Sequence, residues 1–127
     1  MIFGYDNNFT KKFVLKDDKN NPESEQTVFH YKLPSLALQH TLFDEINVEK
    51  TSNVSMKIMD DTILECLVKI ENYKVKKDNQ IIDVIYNEKT SIEEKKKILE
   101  TIPIKYRAEI GAEIFNSMNP TPEQEKN

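Results

Sequence analysis

The sequence predicts an α+β domain, mostly helical, opened by an antiparallel β-hairpin. Three observations carry this. Thr27-Val28-Phe29-His30-Tyr31-Lys32-Leu33 is β-branched and aromatic, with Phe29, Tyr31 and Leu33 on one face at period two. From Pro34 onward the apolar residues recur at three- and four-residue steps. The chain has 127 residues but only two glycines, too few for a propeller or a Gly-rich phosphate loop. That length is one domain by size. It divides into a hairpin region (1–33), a helical region (34–118) and a short tail (119–127).

Taken in order, residues 1–10 are polar and mixed, a short strand or an arm. Lys12-Phe13-Val14-Leu15-Lys16 is a short apolar run bounded by charge, and reads as the first strand. Asp17 to Gln26 holds Asp-Asp-Lys-Asn-Asn-Pro, which favours turn dihedrals. Nothing apolar anchors that stretch, so a turn or mobile loop is expected there, closing a hairpin with 27–33. Pro34 or Ser35 opens a helix in which Leu36 and Phe43, and Leu38, Leu42 and Ile46, keep helical spacing. Residues 47–54 read as a loop.

Ser55 is a cap for the next helix. Met56, Met59, Ile63, Cys66, Leu67 and Ile70 form a stripe that predicts a central buried helix over 55–72. Lys74 to Asn79 reads as a polar turn. Ile81 to Tyr86 fits either a strand or the start of a helix. Thr90-Ser91-Ile92-Glu93-Glu94 has capping-box logic and starts a helix that Pro103 interrupts. Residues 104–118 follow as the last long helix, with Ile110, Ile114, Phe115 and Met118 on one stripe. Asn119-Pro120 stops it, and Thr121-Pro122-Glu123-Gln124 repeats the capping pattern.

Composition narrows function. The net charge is −4, and 17 of the 18 cations are Lys, with Arg107 the sole Arg. Nucleic-acid readers concentrate positive charge and use Arg for bidentate contacts, so nucleic acid is not an expected partner. No run approaches the ~18 apolar residues of a spanning helix, and the N-terminal residues lack the pattern of a signal peptide. No membrane association is expected, and the chain reads as cytoplasmic. The single Cys66 cannot form an internal disulfide.

The sequence offers little for catalysis. Cys66 lies on an apolar stripe, where a thiol is inert. His30 alternates with the apolar face of its strand and is expected to point to solvent. His40 reads as a surface or boundary residue. Two lone histidines make a poor zinc site. Asp60, Asp61 and Glu65 are the one compact acid group, read as complementing a helix dipole. Asp17 to Asn21 lacks the Gly and distal Glu of a calcium loop. Lys95 to Lys97 sits among Glu93, Glu94 and Glu100, a solvated helical face. No enzyme, metal or cofactor is expected.

Both ends of the chain carry a resemblance. One is the lysine-flanked strand, the Pro-containing loop and Thr27-Val28-Phe29 leading through Pro34-Ser35 into a helix. The other runs from Ile102-Pro103-Ile104-Lys105-Tyr106-Arg107 through Asn116-Ser117-Met118 to Glu123-Gln124-Glu125-Lys126-Asn127. This pattern resembles the small tail assembly chaperones of long-tailed bacteriophages. The resemblance implies a non-enzymatic role in the host cytoplasm, binding the tape-measure protein or a tail tube subunit during virion morphogenesis. A chaperone for a helical client needs an adaptable apolar groove. Met56 and Met59 on helix 55–72, and Tyr106, Arg107, Ile110, Ile114 and Phe115 around helix 104–118, are the candidate partner-binding residues. Mutual packing in the core is the competing role for most of them. Two other readings stand beside this one: a small phage-encoded inhibitor of a host or defence protein, and a structural head–tail adaptor.

Overall fold

The computed structural model describes residues 1–4, 6, 8–49 and 55–118, with the side chains of 45–49 excepted. The chain is α+β. Four strands, β1 (Thr10–Phe13), β2 (Val28–Lys32), β3 (Leu67–Lys77) and β4 (Gln80–Tyr86), form one antiparallel sheet in sequence order. Four helices accompany it: α1 (Leu36–Glu49), α2 (Met56–Cys66), α3 (Ile92–Thr101) and α4 (Ile104–Ser117).

The N-terminal hairpin is present, with Phe13 opposite Phe29 and Lys11 opposite Tyr31. Its first strand begins two residues earlier than the apolar run suggests. The connecting loop holds two short 3-10 turns, Lys16–Asp18 and Glu23–Glu25. It lacks an apolar anchor but is tied down by polar ones. Asp18 accepts from Asn21 Nδ2 and from the Thr27 backbone N–H, both at 2.7 Å. Thr27 Oγ1 donates to the Asn72 carbonyl on β3 (2.8 Å). Asn72 sits at φ 58°, a left-handed position that Asn tolerates, and its side chain reaches back to the Gln26 carbonyl (3.3 Å).

The main correction concerns the helix expected over 55–72. Ser55 caps it as expected, its hydroxyl accepting from the Ile58 N–H. The helix ends at Cys66, however, and the chain turns directly into β3 at Leu67. The stripe Ile63, Cys66, Leu67, Ile70 has helical spacing, and in a regular strand Leu67 and Ile70 would fall on opposite faces; a register shift against β2, between the partners of His30 and Tyr31, lets both be buried in the core. Pairing decides for the strand: Ile70 lies opposite Phe29 and Leu67 opposite Tyr31, which completes the ladder of β2. The polar stretch 74–79 is mostly strand, and the turn is only Asp78-Asn79. Ile81 to Tyr86 resolves as strand β4. The first long helix extends three residues into the expected loop, to Glu49. The capping pattern at 121–124 lies outside the described residues.

The core lies between one face of the sheet and the helices. Phe29 and Tyr31 of β2 and Leu67 and Ile70 of β3 meet Ile63 and Cys66 of α2, Leu99 of α3, and Ile110 and Ile114 of α4. Burying each large side chain contributes roughly 1.5–3 kcal/mol before entropy is counted. The other face carries His30, Lys69 and Glu71. His30 is mostly covered rather than solvent-facing, and its Nε2 stands 3.1 Å from Glu71.

Candidate functional site

The seven candidate residues do not form one surface. Ile110 and Ile114 are 1% and 0% exposed and belong to the core, so neither is available to a partner. Met59 is half-buried and lies against Gly111, where α2 and α4 approach closely. Met56 is half-buried at the start of α2. Tyr106 donates from its hydroxyl to Asp17 (3.0 Å), beside the Lys105–Asp17 pair at 3.2 Å. Those two donors, Lys105 foremost, hold the Asp17 carboxyl below its usual range. Arg107 binds Asp60 (2.9 Å) and donates to the Ile102 carbonyl (2.8 Å). It therefore fastens the α3–α4 junction to α2. Tyr106 also lines an open pocket with Leu15, Phe29, Tyr73, Ile102 and Pro103, and Phe115 lines a second groove, between α4 and α1.

That groove is built from α1 upward. Ser35 starts the helix: its hydroxyl accepts from the Leu38 N–H (3.2 Å). Its own N–H and hydroxyl both donate to Glu65 of α2, each at 3.0 Å. The helix is thereby held at its N-terminus. One side of α1 turns Leu38 and Leu42 inward, and Leu42 is fully buried. A second stripe, Leu36, Gln39, His40 and Phe43, follows the same i, i+3, i+4, i+7 spacing on another side. Leu36 is 68% and Phe43 67% exposed. Together with Phe115 and Met118 at the C-terminal end of α4, this stripe lines an open groove of about 460 Å³.

Sequence reasoning missed Leu36, Gln39, His40 and Phe43 as site residues. The signal was the pair Leu36 and Phe43, which keep helical spacing on a different side of the helix from Leu38 and Leu42. The expected groove between helices 55–72 and 104–118 is filled instead by the mutual packing of α2 and α4.

The residues with catalytic potential are held apart. Cys66 is fully buried, and burial pushes its thiol pKa up to about 12, so it stays protonated at neutral pH. Asp60 serves Arg107, Asp61 pairs with Lys57 (3.1 Å), and Glu65 holds Ser35. Among the described residues no cluster of three His, Cys, Asp or Glu could hold a metal ion. No helix among them is long and apolar enough to cross a membrane. Comparison with protein-family models, curated proteins and solved structures finds no match for the chain.

Proposed function

We propose that this chain is a non-enzymatic protein-binding domain that serves as a tail assembly chaperone of a long-tailed bacteriophage. Its groove holds a helical segment of the tape-measure protein before the tail tube forms around it. The observation that supports the reading is the exposed apolar pair on the second side of α1. Leu36 and Phe43 keep helical spacing yet stay exposed, facing Phe115 across the groove. A groove walled by two helices fits the apolar face of an amphipathic helix, whose anchors repeat at the same spacing. The client identity rests on the resemblance at the two ends of the chain.

The test is co-purification of the tagged chain from infected or lysogenic cells, with the captured proteins identified by mass spectrometry. Recovery of the tape-measure protein, and its loss with Phe43→Asp or Phe115→Ala, is the expected result. An anchor of this kind typically contributes about 2 kcal/mol, or about 30-fold in affinity. Capture of a host nuclease or regulator without tail proteins would sink the chaperone reading and favour the inhibitor. Tape-measure capture indifferent to both variants would remove the groove from the account.

A further inference from the structure

Among the described residues no further strand pairs with the far edge of the sheet. β4 is the last strand in the order β1–β2–β3–β4. Its hairpin with β3 closes through Lys77 and Gln80 around Asp78 and Asn79. Both turn residues have left-handed φ, 50° and 63°, as a two-residue hairpin turn of primed type requires. Alternation from that closing pair directs the backbone groups of Gln80, Ile82 and Val84 toward β3. It directs the N–H and C=O groups of Ile81, Asp83 and Ile85 outward.

Proteins normally blunt such an edge with lysines, proline, bulges or a very short strand. The opposite edge does so, since β1 is four residues long and carries Lys11 and Lys12. β4 uses none of these devices. It has seven residues, with no Lys, Pro or Gly, and the sheet's register shifts fall on β2 and β3. Ile81 is 70%, Ile82 44% and Ile85 74% exposed. The single charge on the strand, Asp83, lies 3.5 Å from Lys74 of the same chain. A strand whose only charge is compensated at home meets its own copy with little like-charge penalty.

We propose that β4 pairs antiparallel with β4 of a second copy across a two-fold axis, joining two four-stranded sheets into one. A two-fold interface needs a patch that complements itself, and antiparallel pairing of one strand with itself meets that condition. A register centred on Ile82 or Val84 sets each Asp83 opposite Ile81 or Ile85 of the other copy, so the two carboxylates never face each other. The outward N–H and C=O groups gain partners, and the exposed isoleucines gain cover. The patch is small, so the dimer is expected to be weak. It uses none of the residues that line the α1–α4 groove, and it stands or falls independently of the chaperone reading.

Sedimentation equilibrium of the full chain, from low micromolar to near-millimolar concentration, tests it. The expected result is a concentration-dependent monomer–dimer equilibrium, abolished in the double variant Ile81→Lys/Ile85→Lys. Both side chains are exposed, so its melting temperature should match the parent's. In the parent chain, the amides of Ile81, Asp83 and Ile85 should exchange hydrogen more slowly at high concentration than at low. A monomer throughout would overturn the proposal. So would a dimer that survives the double variant, or one that leaves those three amides unprotected.

Discussion

Gly111 marks the closest approach of α2 and α4, and replacing it with Ala sets two opposed effects against each other. A Cβ built at Gly111 would lie 2.5 Å from Met59 Sδ, 3.2 Å from its Cβ and 3.3 Å from its Cγ. Ordinary contact needs about 3.5–4.0 Å, so the sulfur must retreat by roughly 1 Å. Alanine in a helix interior gains about 1 kcal/mol over glycine. Overpacking of this kind costs about 1–3 kcal/mol. The cost wins, because Sδ and Cγ must both give way within the seam between α2 and α4. Gly111→Ala should therefore destabilise the domain by about 1 kcal/mol, lowering its melting temperature by about 4 °C. In a Met59→Ala background the Sδ and Cγ contacts are gone, and the same substitution should become neutral or stabilising. The double-mutant cycle should show a coupling of about 1–2 kcal/mol, read by urea denaturation of the four proteins. Gly111→Ala raising stability equally in both backgrounds would refute the close approach of the two helices.

Three further predictions concern the core. Among the described residues the buried Tyr86 hydroxyl has no hydrogen-bond partner, and burial pushes its pKa up to about 12. Tyr86→Phe removes that orphaned group and keeps the ring, so it should raise stability by up to about 1 kcal/mol; a clear loss would mean the hydroxyl has a partner. Cys66 and Tyr86 both hold their protons more tightly folded than unfolded, since their usual values are 9.0 and 10.0 and both rise to about 12. The unfolded chain thus releases protons first, and stability should fall as pH climbs from about 9 toward 12. Thermal melts across that range check the sign, with Tyr86→Phe showing a shallower fall. A Cys66 thiol that reacts with a maleimide at pH 8 without prior opening of the fold would contradict its placement.

The elements differed in how plainly their residues declared them. Ser55 and Ser91 sit at helix starts because a hydroxyl there satisfies a free N–H three residues on, and that chemistry is local. Val28 to Lys32 reads as a strand because alternation and β-branching are local too. Helix α4 follows from Pro103 and its apolar stripe. Cys66 on an apolar stripe was legible as a buried thiol. The stretch 17–26 was legible as a turn region, but its polar ties were not: Asp18 reaches Thr27, and Asn72 comes from β3.

What the residues determined alone was the class: an N-terminal hairpin, helices with recognisable caps, an acidic surface and no concentration of catalytic side chains. What only the tertiary structure decided was where apolar residues spend their burial. Leu67 and Ile70 keep helical spacing, yet pairing with β2 placed them in a sheet, where a register shift lets both be buried. Ile110 and Ile114 looked as ready for a partner as Phe115 does, but α2 and the sheet cover them. Leu36 and Phe43 stay exposed because they lie on a different side of α1 from Leu38 and Leu42, the side the domain packs against. Hydrophobic periodicity reports that a face wants cover; the contacts that supply it lie far away along the chain, and only the folded molecule brings them together.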